Sequence, residues 1–309
     1  MKELTELLTP YRTISIIGMA KNVGKTTTLN HLIEKFHQQN AKLALTSIGR
    51  DGEQTDVVTK TAKPAIFVFR DTLIITAEQL LPLCDITKEI LTLTDINTPM
   101  GRIVVVRALS DGFVQLGGPS ITTQISDLIK HISADKIIVD GATSRKTLAE
   151  PEVTEACVLC TGAALSRNIN TVIEETLHAV QMLTLPKLED SCILAELQDM
   201  TEGTLAIEKG YIYFPGAVSD AVVRNLVLSN NNLKDVYLIA EDAGKIFIKP
   251  DTYEKLRIKQ ASLLVKAPIR LVGLTLNPVS PYGIGFDAHE FLERMREAVS
   301  IPVYDLKAG

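Results

Sequence analysis

The sequence predicts an α/β fold: a mostly parallel sheet flanked by helices, with a smaller α+β insertion. Three observations predict it. Short continuous apolar runs, such as Ile14-Ser15-Ile16-Ile17 and Ile137-Ile138-Val139, read as strands covered on both faces rather than half-wetted ones. Apolar residues at helical spacing follow those runs, as in Leu29, Leu32, Ile33 and Phe36. Strand alternating with helix is the pattern of parallel sheets with helical crossovers.

The elements follow in order. Residues 14–17 form a strand, and a helix carries Leu29 to Phe36. A second strand is expected over 42–47. Residues 65–69 and 73–76 are strand-like, with a turn between them. The run 101–107 is the most strongly β-prone, and it leads to the Gly-rich loop Gly117-Gly118-Pro119-Ser120. A helix is expected from about Ser120 to His131. Residues 136–140 form a buried strand with an acidic end, 155–161 another strand, and 169–183 a helix. From 186 to 266 the texture changes to short mixed segments at 203–214, 236–239 and 245–248. Residues 230–232 and 241–244 there read as turns. Strand 270–276, helix 288–299 and strand 302–306 then resume the sheet pattern. The expected organisation is one domain over 1–185 and 267–309, with 186–266 as a small α+β insertion or as decoration on the same domain.

Composition bounds the function. At 309 residues, 46% hydrophobic and 22% charged, the chain can bury a sizeable core. Lys and Arg number 32 and Asp and Glu 37, for a net charge of -5. A mildly acidic chain without a basic block argues against non-specific nucleic-acid binding. No apolar stretch approaches the ~18 residues of a membrane helix. The first dozen residues lack the apolar core of a signal peptide, so a cytoplasmic protein is expected. Four cysteines, at 84, 157, 160 and 192, are too few for a disulfide scaffold. Cys157 and Cys160 form a C-x-x-C inside an apolar strand, not at the helix start that a redox pair uses. The five histidines show no zinc spacing.

The decisive segment is Gly18-Met19-Ala20-Lys21-Asn22-Val23-Gly24-Lys25-Thr26-Thr27. It follows a strand and opens a helix, the context a phosphate loop requires. Backbone N–H groups of such a loop surround a phosphate at a helix N-terminus. Lys25 would place a charge on the β- and γ-phosphates, and the Thr26 hydroxyl would ligate Mg²⁺. Gly24 would let backbone approach the ligand closely. Gly18, Ala20, Lys21, Asn22, Val23, Gly24, Lys25, Thr26 and Thr27 are the expected nucleotide contacts. The spacing puts Met19 where the usual motif has glycine, and the plain alternative is a strand-to-helix turn with a chance Lys-Thr.

The G-x₅-G-K-T spacing resembles the loop of dethiobiotin synthetase and of the ATPase domain of cobyric acid synthase-type enzymes. These belong to the P-loop branch related to MinD and nitrogenase iron protein. The resemblance implies a P-loop NTPase fold, with ATP and Mg²⁺ as ligands. A narrower resemblance, over residues 16–27 and Thr46-Ser47-Ile48-Gly49-Arg50-Asp51-Gly52-Glu53, is to the small reactivase subunit of adenosylcobalamin-dependent lysine aminomutases. It implies a protein partner, either a cobalamin-dependent enzyme or a second reactivase subunit.

Further residues are expected around the nucleotide. Asp140 ends a strand and would hold Mg²⁺, or serve as a turn or cap residue. Asp51 follows the second strand and would hold Mg²⁺ or orient the attacking water; Glu53 and Asp56 are weaker candidates. By the same resemblance Asn277 would read the adenine edge, the alternative being a turn Asn before Pro278. Gly117, Gly118, Thr161 and Gly162 are expected along the same crevice. Catalysis would rest on Lys25 and Asp51.

Three functions compete, one of them a nucleotide-binding protein without turnover that regulates by occupancy. The first is an ATPase that acts on a protein partner, with a homodimer as one assembly. The second is a biosynthetic enzyme that activates a carboxylate with ATP, with Arg50, Arg145 and Arg167 as candidate substrate contacts. The second strand is followed by Ser47-Ile48-Gly49-Arg50, not by the Lys-Pro of dethiobiotin synthetase. No Asn-Lys-x-Asp guanine reader follows a strand, which favours ATP.

Overall fold

A computed structural model describes residues 2–48, 65–141, 153–198, 210–230 and 232–306. In chain order the elements are α1 (Leu4–Leu8), β1 (Thr13–Gly18), α2 (Lys25–Gln38), β2 (Leu43–Ser47), β3 (Ile66–Val68), β4 (Leu73–Ala77), β5 (Lys88–Thr98), β6 (Gly101–Ala108), β7 (Gly112–Val114), α3 (Thr122–His131), β8 (Lys136–Asp140), β9 (Ala156–Gly162) and α4 (Ile169–Leu183). There follow α5 (Ser191–Gln198), β10 (Tyr211–Phe214), β11 (Val218–Ser219), α6 (Asp220–Ser229), β12 (Tyr237–Asp242), β13 (Ile246–Phe247), α7 (Pro250–Ile258), β14 (Ser262–Ala267), β15 (Leu271–Asn277), α8 (Ala288–Ala298) and β16 (Val303–Asp305).

The chain forms two compact units. One comprises Met1–Thr176 with Leu271–Gly309, the other Leu177–Arg270. The interruption therefore begins within α4, nine residues before the expected 186, and ends at the edge of β15, four residues after the expected 266.

The first unit holds a nine-stranded sheet among the described residues, in the order β16-β15-β9-β1-β8-β2-β4-β6-β5. From β16 to β4 every pairing is parallel; β4–β6 and β6–β5 are antiparallel. The central strands are buried along their whole length because helices cover both faces: all six residues of β1 and all seven of β9 are inaccessible. Leu29, Leu32, Ile33 and Phe36 put the apolar stripe of α2 into this core, with Ile14, Ile16, Leu45 and Val158. No side chain caps the start of α2, whereas Asp287 caps α8 by accepting from the Glu290 N–H at 2.8 Å.

The structure departs from sequence expectation in several places. The expected strands near 65–69 and 73–76 are both present, as β3, which pairs with β7, and β4, which lies between β2 and β6; the departures lie elsewhere. The edge strand β5 had no place in the sequence pattern. Residues 89–93 are exposed, so no buried alternation marks it, and two register shifts against β6 break its period. The second unit is also not an α+β insertion. Strands β10, β12 and β14 form a three-stranded sheet, all parallel, with α6 and α7 as its crossovers. Glu241 and Asp242 end β12 rather than making a turn. Among the described residues no helix is long and apolar enough to cross a membrane.

Candidate functional site

The topology singles out one place in the large sheet. Strand β1 lies between β8 and β9. The chain leaves β1 toward the β2 side, returns at β8, and then crosses to β9 on the other side. That reversal makes a crevice at the carboxyl end of β1, where open parallel sheets bind ligands. The segment Met19–Gly24 emerges there and leads into α2.

Local chemistry shapes this loop. Gly18 is required by close approach: a Cβ there would lie 2.8 Å from Lys25 Cδ and 3.0 Å from Val23 Cγ2. Gly24 has φ +93°, and Asn22 has φ 63°. Left-handed backbone is open to glycine and tolerated by asparagine. Val23 is buried in the core. The Met19 N–H donates to the Cys160 carbonyl at 3.0 Å, tying the loop to β9. The Asn22 amide nitrogen Nδ2 is buried and has no acceptor among the described residues.

Lys25 opens α2 and crosses Gly18, and its ammonium donates to the carbonyl oxygen of Gly141, just beyond β8. Thr26 and Thr27 sit half-buried in the first turn of α2, which holds no acidic residue. Asp140 is half-buried at the end of β8, in register with Ile16 of β1 and Ser47 of β2. Lys25 thus bonds the residue that follows Asp140 in the chain. Ala20 is half-buried and Lys21 exposed at its tip. Asp51, the other expected catalytic and metal residue, lies outside the described residues, as do Arg50, Glu53, Asp56 and Arg145.

Thr28 sits one residue beyond the expected motif and anchors a buried polar network that sequence reasoning missed. Its hydroxyl meets the Thr275 hydroxyl at 2.9 Å and accepts from the Cys160 thiol at 3.5 Å. Asn277 is present at the site, half-buried at the end of β15. It donates from Nδ2 to the Asn22 carbonyl at 2.8 Å. A shallow cavity beside it is lined by Gly24, Thr27, Thr28, Leu276, Asn277 and Leu306. Gly118 packs against the end of β2, where its N–H donates to Ser47 Oγ at 3.1 Å. Gly162 packs against Asn277. Arg167 is exposed and donates to the Tyr282 carbonyl at 3.5 Å.

Compared with known families, with curated proteins and with solved structures, the chain matches none. The site therefore rests on its own geometry.

The cysteines of the C-x-x-C are both buried in β9 and unbonded to each other. Burial pushes the Cys157 thiol far above its ordinary range, and burial also raises that of Cys160. Neither has the lowered pKa of a redox thiol. Among the described residues no group of His, Cys, Asp and Glu is placed to hold a metal by itself.

Proposed function

We propose that this chain is a P-loop protein that binds and hydrolyses ATP with Mg²⁺ and acts on a protein partner. The observation that carries the reading is the loop Met19–Gly24 at the reversal point of the sheet, with Lys25 bonded to the Gly141 carbonyl and Asp140 ending the adjacent strand β8. Three features fit a bound polyphosphate. The helix start carries no capping side chain and no acidic residue. Two residues hold left-handed backbone, and the Asn22 amide is a buried donor in want of an acceptor. Lys25 and the backbone N–H groups of the loop would hold the phosphates. Thr26 and Asp140 offer the oxygen ligands that Mg²⁺ prefers. The metal, when bound, supplies charge neutralisation on the phosphate oxygens. Asp51 is proposed to orient the attacking water.

The partner proposed is an adenosylcobalamin-dependent aminomutase, whose reactivation this chain would drive. Support for that narrower step is the resemblance over residues 16–27 and 46–53. The homodimer stays a proposal of the same rank.

The test is phosphate release from ATP and from GTP by the purified protein, with Lys25→Ala as control. Slow ATP hydrolysis that needs Lys25 and no small substrate supports the reading. Equal nucleotide affinity in wild type and Lys25→Ala would sink it. Hydrolysis that appears only with a small carboxylic acid would favour the biosynthetic reading instead.

A further inference from the structure

Strand β15 bonds the loop at one point and the start of α2 at another. Thr275 and Asn277 are two residues apart, so their side chains leave the same face of the strand. Thr275 bonds Thr28 in the first turn of α2, and Asn277 bonds the Asn22 carbonyl within the loop. Asn277 is itself held firmly. Its main-chain oxygen accepts from the Ala163 N–H at 2.9 Å, and its side-chain oxygen accepts from the Val279 N–H at 3.4 Å. Its Cβ lies 3.1 Å from where a Cβ on Gly24 would stand. The loop has reason to need such a tie. Asn22 and Gly24 both occupy left-handed backbone with one residue between them, and a non-glycine residue stays there only when its surroundings hold it.

We infer that Asn277 is a positioning residue: it holds the Asn22 carbonyl, and thereby the shape of the phosphate loop, so that it governs affinity for the triphosphate moiety rather than recognition of the base. The inference deepens the nucleotide reading and rests on it for the ligand, but not for the tie itself. Asn277 stands 255 residues along the chain from Asn22. The loop is thus braced by a strand that the chain adds only after the second unit.

The experiment compares wild type, Asn277→Ala, Asn277→Asp and Lys25→Ala as full-length proteins. Calorimetry with Mg²⁺ measures ATP and inorganic tripolyphosphate, and hydrogen exchange follows the amides of residues 19–24 without ligand. Asn277→Asp keeps the size of the side chain and its acceptor for Val279 but removes the donor. Both Asn277 variants should lose about tenfold in affinity, the worth of one well-made hydrogen bond. The loss should be equal for ATP and tripolyphosphate, and loop exchange should speed up by a similar factor. Full tripolyphosphate affinity with weakened ATP binding would make Asn277 a base reader and overturn the inference. Unchanged loop exchange would overturn it as well. If wild type and Lys25→Ala bind neither triphosphate, the nucleotide reading falls, and exchange in the free protein still decides whether Asn277 braces the loop.

Discussion

Lys136 opens β8, the strand that delivers Asp140 to the site, and its replacement tests how that strand is anchored. Only 9% of Lys136 is exposed. Its ammonium donates to the carbonyls of Leu8 at 3.2 Å, Thr9 at 2.6 Å and Tyr11 at 2.6 Å. These carbonyls end α1 and begin the approach to β1. The ammonium also lies over the Phe36 ring, 5.6 Å from its centroid. Lys136→Met keeps the stem and deletes the three donors. Hydrogen bonds with a charged partner contribute ~1.5–3 kcal/mol each. Thr9 is exposed and its carbonyl can regain water, which discounts that bond. With the other two bonds at full weight, a loss of ~3–6 kcal/mol follows, a large share of a domain's margin. Urea unfolding followed by circular dichroism measures it. The pH dependence has a definite sign. Burial holds the Lys136 pKa below its ordinary 10.5, so the unfolded chain keeps the proton longer as pH rises. Wild type should therefore gain stability relative to Lys136→Met between the lowered pKa and 10.5. A difference below ~0.5 kcal/mol at neutral pH, within the noise of a surface substitution, would refute the anchoring.

Other outcomes follow from the same geometry. Gly118→Ala sets a Cβ against the Ser47 carbonyl oxygen; overpacking of this kind costs ~1–3 kcal/mol, read as a lowered denaturation midpoint with the slope unchanged. In the native protein a thiol reagent at pH 8 should label Cys192, which is exposed, and spare Cys157 and Cys160. Rapid labelling of either strand cysteine would contradict their burial. In the second unit, burial pushes Glu241 up, but the Tyr213 hydroxyl and Lys266 at 3.0 Å outweigh it and hold the carboxyl below 4.5. That stabilisation is present above 4.5 and is lost as pH falls through the lowered value. Glu241→Gln should therefore flatten the acid limb of the second unit's unfolding curve.

What could be read from the sequence depended on how far apart the cooperating residues lie. The loop from Gly18 to Thr27 was legible because its strand, glycines, lysine and helix are neighbours, and each obeys a local rule. Strands β1, β8 and β9 were legible for the same reason, since unbroken apolar runs signal burial on both faces. β5 was not, because its exposed residues and register shifts remove the period that would announce it. The second unit was read as mixed because its parallel strands are only four to six residues long, too short for periodicity to separate parallel from antiparallel pairing.

Asn277 marks the sharper boundary. An Asn before Pro at a strand end is a local signal for a turn, and its side-chain oxygen does accept from the Val279 N–H two residues on. Its further partner is the carbonyl of Asn22, a backbone atom that no residue type announces. The same holds for Thr275 with Thr28 and for Lys25 with Gly141. In each pair one member is brought in by sheet order, because β8 and β15 come to the loop from either side of β1 and β9. The local motif can state which groups would hold a phosphate. Which groups hold the motif in shape is a property of strand order, and so becomes visible only once the sheet is assembled.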